Sequence, residues 1–439
     1  MVTYPPFGSP SFKLAAKGLV ELHRLMKDGK DDSPEAESVR DALDAPLNAL
    51  NRTEEERAQW LSEDLYSVSE PPAATTQKEM NPQAQKQLIE AIEARQNGEW
   101  DRALALLRRW REYIAPTLLS YLRGSIWFDA GFPDVAAMFY GHASESDPAD
   151  ASYRALFIDA LAESDRGAAV KLADEVLADD TKHAPLVVAE AAHVRFSESR
   201  TVSEARSARL YRDMIPILER NLARIEKDEG DASTAPEYEM TVGMLGFCQQ
   251  LLGNSGAALS YFSRGLQLNP NNAGLLTARG TLQYGTSPRA ITDFEQAVRL
   301  GCPVIWPYLF LAHHYLATSR FEQCRLICET GLRMQGSETA KSQLEEWRAI
   351  AQAELRFPPE LVRVAFDAAL RLDPSNELAR RNQDAFEASL RVPHNRLGSA
   401  WEPRSAAAVR QFGLAERRYP VAAWPISFAA RFVPEFAAS

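Results

Sequence analysis

Residues 239–272 read EMTVGMLGFCQQLLGNSGAALSYFSRGLQLNPNN, and this stretch decides the fold. Leu245-Gly246 lies in a first apolar run, Ala258, Phe262 and Gly265 recur at helical spacing in a second, and Pro270 stops it. Apolar residues three and four apart define one face of an amphipathic helix. A small residue in the first helix lets the second come close, an aromatic four positions after a second small residue fills the groove beside it, and proline ends the pair.

The same spacing recurs on both sides. Ala91, Gly98, Ala103 and Leu107 mark one unit; Gly124, Trp127, Gly131, Ala136, Tyr140, Ala143 and Pro148 mark another; Ala169 with Ala173 marks a weaker third. Beyond the opening stretch come Gly280, Ala290, Phe294 and Ala297, then Ala312, Tyr315, Cys324, Cys328 and Gly331, then Val362, Phe366, Ala369 and Pro374. The small residue of the second helix steps from 103 to 136 to 169 and from 258 to 290 to 324. A period near 34 residues is that of a helical-hairpin array. The Leu-Gly, Ala-x3-Phe and closing Pro pattern resembles the tetratricopeptide repeat across residues 84–376, most clearly at 117–150 and 239–272. The fold class expected is all-α: a tetratricopeptide-like helical-hairpin solenoid with an N-terminal helical module and an irregular aromatic C-terminal tail.

The pattern has departures. The 280 unit is two residues short between Gly280 and Ala290, and Val362 stands where a small residue is expected. Residues 184–238 match poorly, yet Leu186, Val187, Ala191 and Val194 indicate one helix, and Leu210, Met214, Ile217, Leu218, Leu222 and Ile225 a longer one that Pro216 is expected to kink. The acidic segment 226–237 is expected to loop out. The organisation read from the chain is an acidic helical module at 1–66, a linker at 67–83, a first array at 84–183, an irregular long-helix connection at 184–238, a second array at 239–390 and a tail at 391–439.

Across residues 1–83, nine basic and fifteen acidic side chains accompany helical spacing of Leu14, Leu19, Leu22 and Leu25, then Val39, Leu43, Leu47 and Leu50. Ser33 before Pro34, with Glu35 and Glu37 behind it, fits a helix start. Thr53 with Glu56 reads as a capping box opening a third helix through Trp60, Leu61 and Leu65. The tail is different in kind: seven arginines, three acids and the aromatics Trp401, Phe412, Tyr419, Trp424, Phe428, Phe432 and Phe436. A short helix near 404–417 is expected, followed by extended chain at Pro420, Pro425 and Pro434.

Composition narrows the function classes. The 439 residues carry 49 basic and 60 acidic side chains for a net charge of −11, with no apolar run approaching 18 residues. These values exclude a basic nucleic-acid coat and a spanning membrane helix. Four cysteines, irregularly placed, do not make a disulfide framework, and the first residues lack the apolar stretch of a secretory signal. A cytoplasmic location is expected. Walker, nucleophile-elbow, His-Glu-x-x-His, kinase and calcium-loop motifs are absent.

Two constellations carry candidate chemistry. His313 and His314 with Cys324 and Cys328 have zinc-ligand types, but both cysteines occupy slots that face the neighbouring helix, where a thiol packs as a small hydrophobe. Arg417-Arg418-Tyr419 offers phosphate contact and stacking, but stands alone on an acidic body. Neither metal, cofactor nor nucleic acid is expected.

The resemblance implies a concave surface lined by the first helix of each pair. Carried over slot by slot, the lining is Leu118, Tyr121, Ser125 and Phe128, then Phe247 and Gln250, then Thr277, Thr281 and Tyr284, then Trp306, Leu309 and His313. It lacks the basic and amide set with which some family members hold a C-terminal carboxylate. Some of these aromatics serve to pack adjacent repeats. The function expected is a non-catalytic scaffold or adaptor for complex assembly, taking an apolar or basic peptide or helix of another protein. The tail is its docking element, whether folded back on the chain, docked on a second copy or inserted into a different subunit. The alternative is an enzyme, or enzyme subunit, with a composite active site not readable from sequence.

Overall fold

A computed structural model describes residues 7–69, 77–199, 202–227, 236–391 and 401–415. Among the described residues the elements are helical, and the sole extended pairing is an isolated parallel bridge between Val304 and Gln335. They divide into two compact units, 7–195 and 196–415.

The first unit begins with α1 (Pro10–Lys27), α2 (Pro34–Asn48) and α3 (Arg52–Ser69). Ser9 and Ser33 cap the first two, their hydroxyls accepting from the Phe12 and Ala36 amides at 3.1 and 3.2 Å, with proline in the first turn of each. The box on α3 corrects the sequence reading. It is formed by Asn51 and Glu54, not Thr53 and Glu56: the Glu54 amide donates to Asn51 Oδ1 at 3.1 Å and the Asn51 amide to Glu54 Oε2 at 3.2 Å. Starting two residues earlier also lets the Glu54 carboxylate accept from the Ser9 amide at 2.7 Å, so one side chain serves two helix starts.

The hairpins of this unit are α4 (Pro82–Gln96) with α5 (Trp100–Arg109), α6 (Pro116–Asp129) with α7 (Pro133–Ser146), and α8 (Ala151–Ser164) with α9 (Arg166–Ala178). α10 (Pro185–Glu198) follows, and the division between the units falls inside it. Gly124 on α6 shows why the period holds: a Cβ there would meet the Tyr140 ring of α7 at 2.8 Å. α1 packs on α7, and Phe7, Phe12, Trp127 and Phe132 form one aromatic cluster. The buried Asp64 of α3 accepts from Arg108 at 2.7 Å and Arg123 at 2.8 Å, pairing a carboxylate that would otherwise be costly to bury.

The second unit contains α11 (Glu204–Ile225), α12 (Pro236–Leu251), α13 (Ser255–Leu268), α14 (Ala273–Gln283), α15 (Arg289–Arg299), α16 (Trp306–Ala317), α17 (Phe321–Gly331), α18 (Glu338–Glu354), α19 (Pro359–Leu372), α20 (Glu377–Ser389) and α21 (Ala406–Ala415). α11 runs as one helix through Pro216. Of the acidic segment after it, residues 228–235 lie outside the described set. From α12 to α19 the helices pack as sequential hairpins, and α14, α16, α18 and α20 also meet in sequence along one side. Glycine again receives an aromatic ring: a Cβ on Gly246 would lie 2.3 Å from the Phe262 ring, and one on Gly280 2.7 Å from the Phe294 ring. Phe262, Phe294 and Phe366 are fully buried, each burial being worth about 1.5–3 kcal/mol. Cys324 and Cys328 are buried in the same layer with free thiols, and burial raises the Cys328 thiol pKa.

Candidate functional site

The last helices of the second unit hold a short stretch of the chain's own tail. Residues 401–405 are irregular, Ser405 offers its hydroxyl to the Ala408 amide at 3.1 Å, and α21 begins immediately after. Asn382 of α20 reads the main chain at Glu402: its Oδ1 accepts the Glu402 amide at 2.8 Å and its Nδ2 donates to the Glu402 carbonyl at 3.5 Å. Two residues on, His313 Nε2 donates to the Arg404 carbonyl at 2.7 Å. Because that carbonyl can only accept, Nε2 carries the proton and Nδ1 accepts from the Tyr284 hydroxyl at 2.6 Å.

Between these main-chain contacts the Arg404 side chain reaches inward. Its NH2 lies 3.2 Å from Glu346 Oε2 and 3.0 Å from Asn376 Oδ1. Glu346 of α18 is 0% exposed. Its carboxylate also accepts from Asn382 Nδ2 at 2.9 Å and Asn376 Nδ2 at 3.3 Å. Burial raises the Glu346 pKa, an effect that Arg404 and the two amides oppose. Asn376 is itself held by donation to Ser342 Oγ at 3.0 Å, and Ser342 donates to the Ala369 carbonyl at 2.8 Å. Glu346, Asn376 and Asn382 are thereby each held by a hydrogen bond to a separate element.

Downstream, α21 packs on α14 and α16. Phe412 meets Trp306 at 5.5 Å between ring centroids, and Val409 is buried. Two glycines allow the close approach. A Cβ on Gly413 would sit 2.7 Å from the Phe310 ring, and one on Gly285 3.0 Å from Ala406 Cβ. Gly285 has φ +77°, a left-handed conformation that suits glycine. It lies in the two-residue-short repeat, where α14 ends at Gln283. A cleft of about 420 Å³ beside it is lined by Tyr284, Pro288, Ile291, His313, Ala317 and Ala406, among others.

The remaining candidate residues are distributed differently. Leu309, Thr277, Thr281 and Trp306 are buried in the second unit, as is Phe247, whose ring lies 5.0 Å from Phe262 and 6.3 Å from Phe196. Gln250 is part-exposed. In the first unit Tyr121 is buried against Tyr140 and Tyr153, Ser125 accepts from the Tyr140 hydroxyl at 3.1 Å, and Leu118 and Phe128 are part-exposed. Of the tail aromatics, Trp401 and Phe412 are described; Tyr419, Trp424, Phe428, Phe432 and Phe436 lie outside the described residues. Glu346, Asn376 and Asn382 were not singled out from the sequence, although they carry the polar contacts.

The His313 contact carries a pH dependence. Burial, the largest influence, lowers the His313 pKa, with His314 and Arg404 acting in the same direction against the hydrogen bond to Arg404. A group whose pKa is lowered by folding contributes stability that is present above its unfolded pKa and is lost as pH falls below it, so protonation of His313 favours the unfolded chain over the folded second unit. Urea stability of the native chain is expected to fall from pH 7.5 to 5.5, and His313→Gln is expected to make that fall smaller.

No family model and no curated protein sequence matches the chain. Among solved structures, a tetratricopeptide repeat protein from Parabacteroides merdae matches at 17% identity and TM-score 0.37, over 60% of this chain and 98% of its own. The tetratricopeptide domain of P58(IPK) matches at 17% identity and TM-score 0.23, over 78% and 80% of the two chains. Yeast Tom70 matches at 13% identity and TM-score 0.23, over 69% and 80%. Within the chain itself the repeated helix pairs follow the pattern read from Gly246, Ala258 and Phe262, with Ala258 and Phe262 fully buried.

Proposed function

We propose that this protein is a non-catalytic interaction scaffold whose second unit takes an extended peptide running into a helix, and that residues 401–415 are its docking element. The observation that carries this reading is the pairing of Asn382 with both main-chain groups of Glu402, supplemented by the His313 bond to the Arg404 carbonyl. Side chains that bind main-chain groups recognise an extended polypeptide as such, and neighbouring pockets then select its side chains. The partner is accordingly another polypeptide with an extended segment followed by an amphipathic helix.

Asn382→Ala removes both bonds to Glu402 and one donor to the buried Glu346 carboxylate. Losses of this type cost about 1–3 kcal/mol, or roughly 5- to 150-fold in the docking equilibrium. Hydrogen exchange of α21 in the full chain is expected to accelerate by at least about fivefold. Arg404→Ala, which changes only the tail, is expected to do the same. Unchanged α21 protection in both variants, with helical circular dichroism intact, would refute the groove reading.

A further inference from the structure

Resting on that groove reading, we infer that Glu346, Asn376 and Asn382 form an arginine-selective pocket for partner polypeptides, and that Arg404 occupies it as a displaceable plug. The main chain on either side of the arginine is pinned, by Asn382 at Glu402 and by His313 at the Arg404 carbonyl. The distance the side chain must span to Glu346 is thus set by the fold. The contacting NH2 lies one bond further from the backbone than a lysine ammonium does, so lysine falls short of Glu346 Oε2 and Asn376 Oδ1 together. Lysine also surrenders a more tightly held hydration shell on approaching the buried Glu346 carboxylate. The pocket is built in advance: Glu346 is fully buried, and its two amide donors are anchored on α20 and on the turn before it.

The plug is held loosely enough to exchange. Arg404 Nε is closed off from solvent without a hydrogen-bond partner, so the arginine is incompletely satisfied. Glu402, Pro403 and Ser405 are exposed, as are Ala407, Ala408 and Gln411 of α21, whose buried face is confined to Val409, Gly413 and neighbours. A competing ligand has a stated chemistry: arginine in extended chain, a small hydroxyl residue next as helix cap, a β-branched residue five positions after the arginine, and an aromatic-glycine pair beginning eight positions after it, as in Arg404, Ser405, Val409, Phe412 and Gly413.

The test uses the full-length chain and a fluorescein-labelled peptide spanning residues 401–415, read by anisotropy. The Arg404→Ala chain, its plug weakened, is expected to bind the peptide at least about tenfold more tightly than the native chain. A peptide carrying lysine in place of arginine is expected to bind at least about tenfold more weakly. Glu346→Gln in the Arg404→Ala chain is expected to erase the preference for arginine, with circular dichroism unchanged. Equal affinity for the arginine and lysine peptides would overturn the pocket while leaving the groove reading standing. Failure of the folded Arg404→Ala chain to bind either peptide would overturn both.

Discussion

Trp127→Ala is expected to destabilise the first unit by about 3–5 kcal/mol, the range for emptying a large aromatic site in a core. The side chain is 1% exposed. Its ring centroid lies 5.4 Å from Phe132, 5.7 Å from Phe7 and 6.4 Å from Phe12, so truncation removes the shared partner of three other rings. Two of those rings belong to the chain before and within α1, and Phe7 is held further by Arg57, whose guanidinium sits 4.1 Å over it. Collapse of the cavity is resisted at both ends, which keeps the cost high. Urea unfolding followed by circular dichroism gives the loss. Exchange mass spectrometry is expected to place the earliest loss of protection in α1. Trp127→Phe is the informative control: the indole Nε1 is buried without a hydrogen-bond partner, so phenylalanine removes an unsatisfied donor while retaining most of the apolar surface, and the loss is expected to be well below that of alanine. Equal losses for the two variants would show that the cluster does not depend on ring packing.

The second large effect is expected at Gly246. Valine there places a branched side chain where even a lone Cβ lies 2.3 Å from the Phe262 ring. That ring is fully buried and backed by Phe247, so it has nowhere to retreat, and the helix pair must separate. A loss of about 3 kcal/mol, the upper end for overpacking, is expected in urea unfolding. Gly256→Ala on α13 is the counterpart: nothing lies within 4 Å of the added atom, and the helical backbone there accepts alanine. It is expected to stabilise by about 0.4–1 kcal/mol through the unfolded chain. A neutral Gly246→Val would mean that the glycine is not a packing device.

These two positions show what was legible in the sequence. Gly246, Gly124 and Gly280 each precede an aromatic by 14 to 16 residues, and the contact they make is local to one hairpin, so the spacing carries it. Helix starts are less secure. Thr53-Glu56 and Asn51-Glu54 satisfy the same spacing two residues apart, and the contact of Glu54 with Ser9, 45 residues away in the chain, favours the second. The polar line at Arg404 was hidden for the same reason. Glu346, Asn376 and Asn382 sit on separate elements, and Glu346 follows another glutamate in a polar stretch that reads as a solvated face. Burial came from α20 and the tail, which no period connects to α18. Tyr284 and His313 were reached by slot counting because a slot is periodic; their mutual hydrogen bond at 2.6 Å is not.

The curtailed α14 has a consequence beyond its own hairpin. A row of equal repeats is a ruler with identical marks, and a ligand sliding along it finds no reason to stop at one mark rather than the next. Shortening the division at Gly285 cuts a notch into which Ala406 fits, and on the proposed reading that notch is the address. On the proposed groove reading, restoring the two missing residues is expected to fill the notch and loosen α21, so that the docking position is written by a subtraction from the repeat rather than by an addition to it.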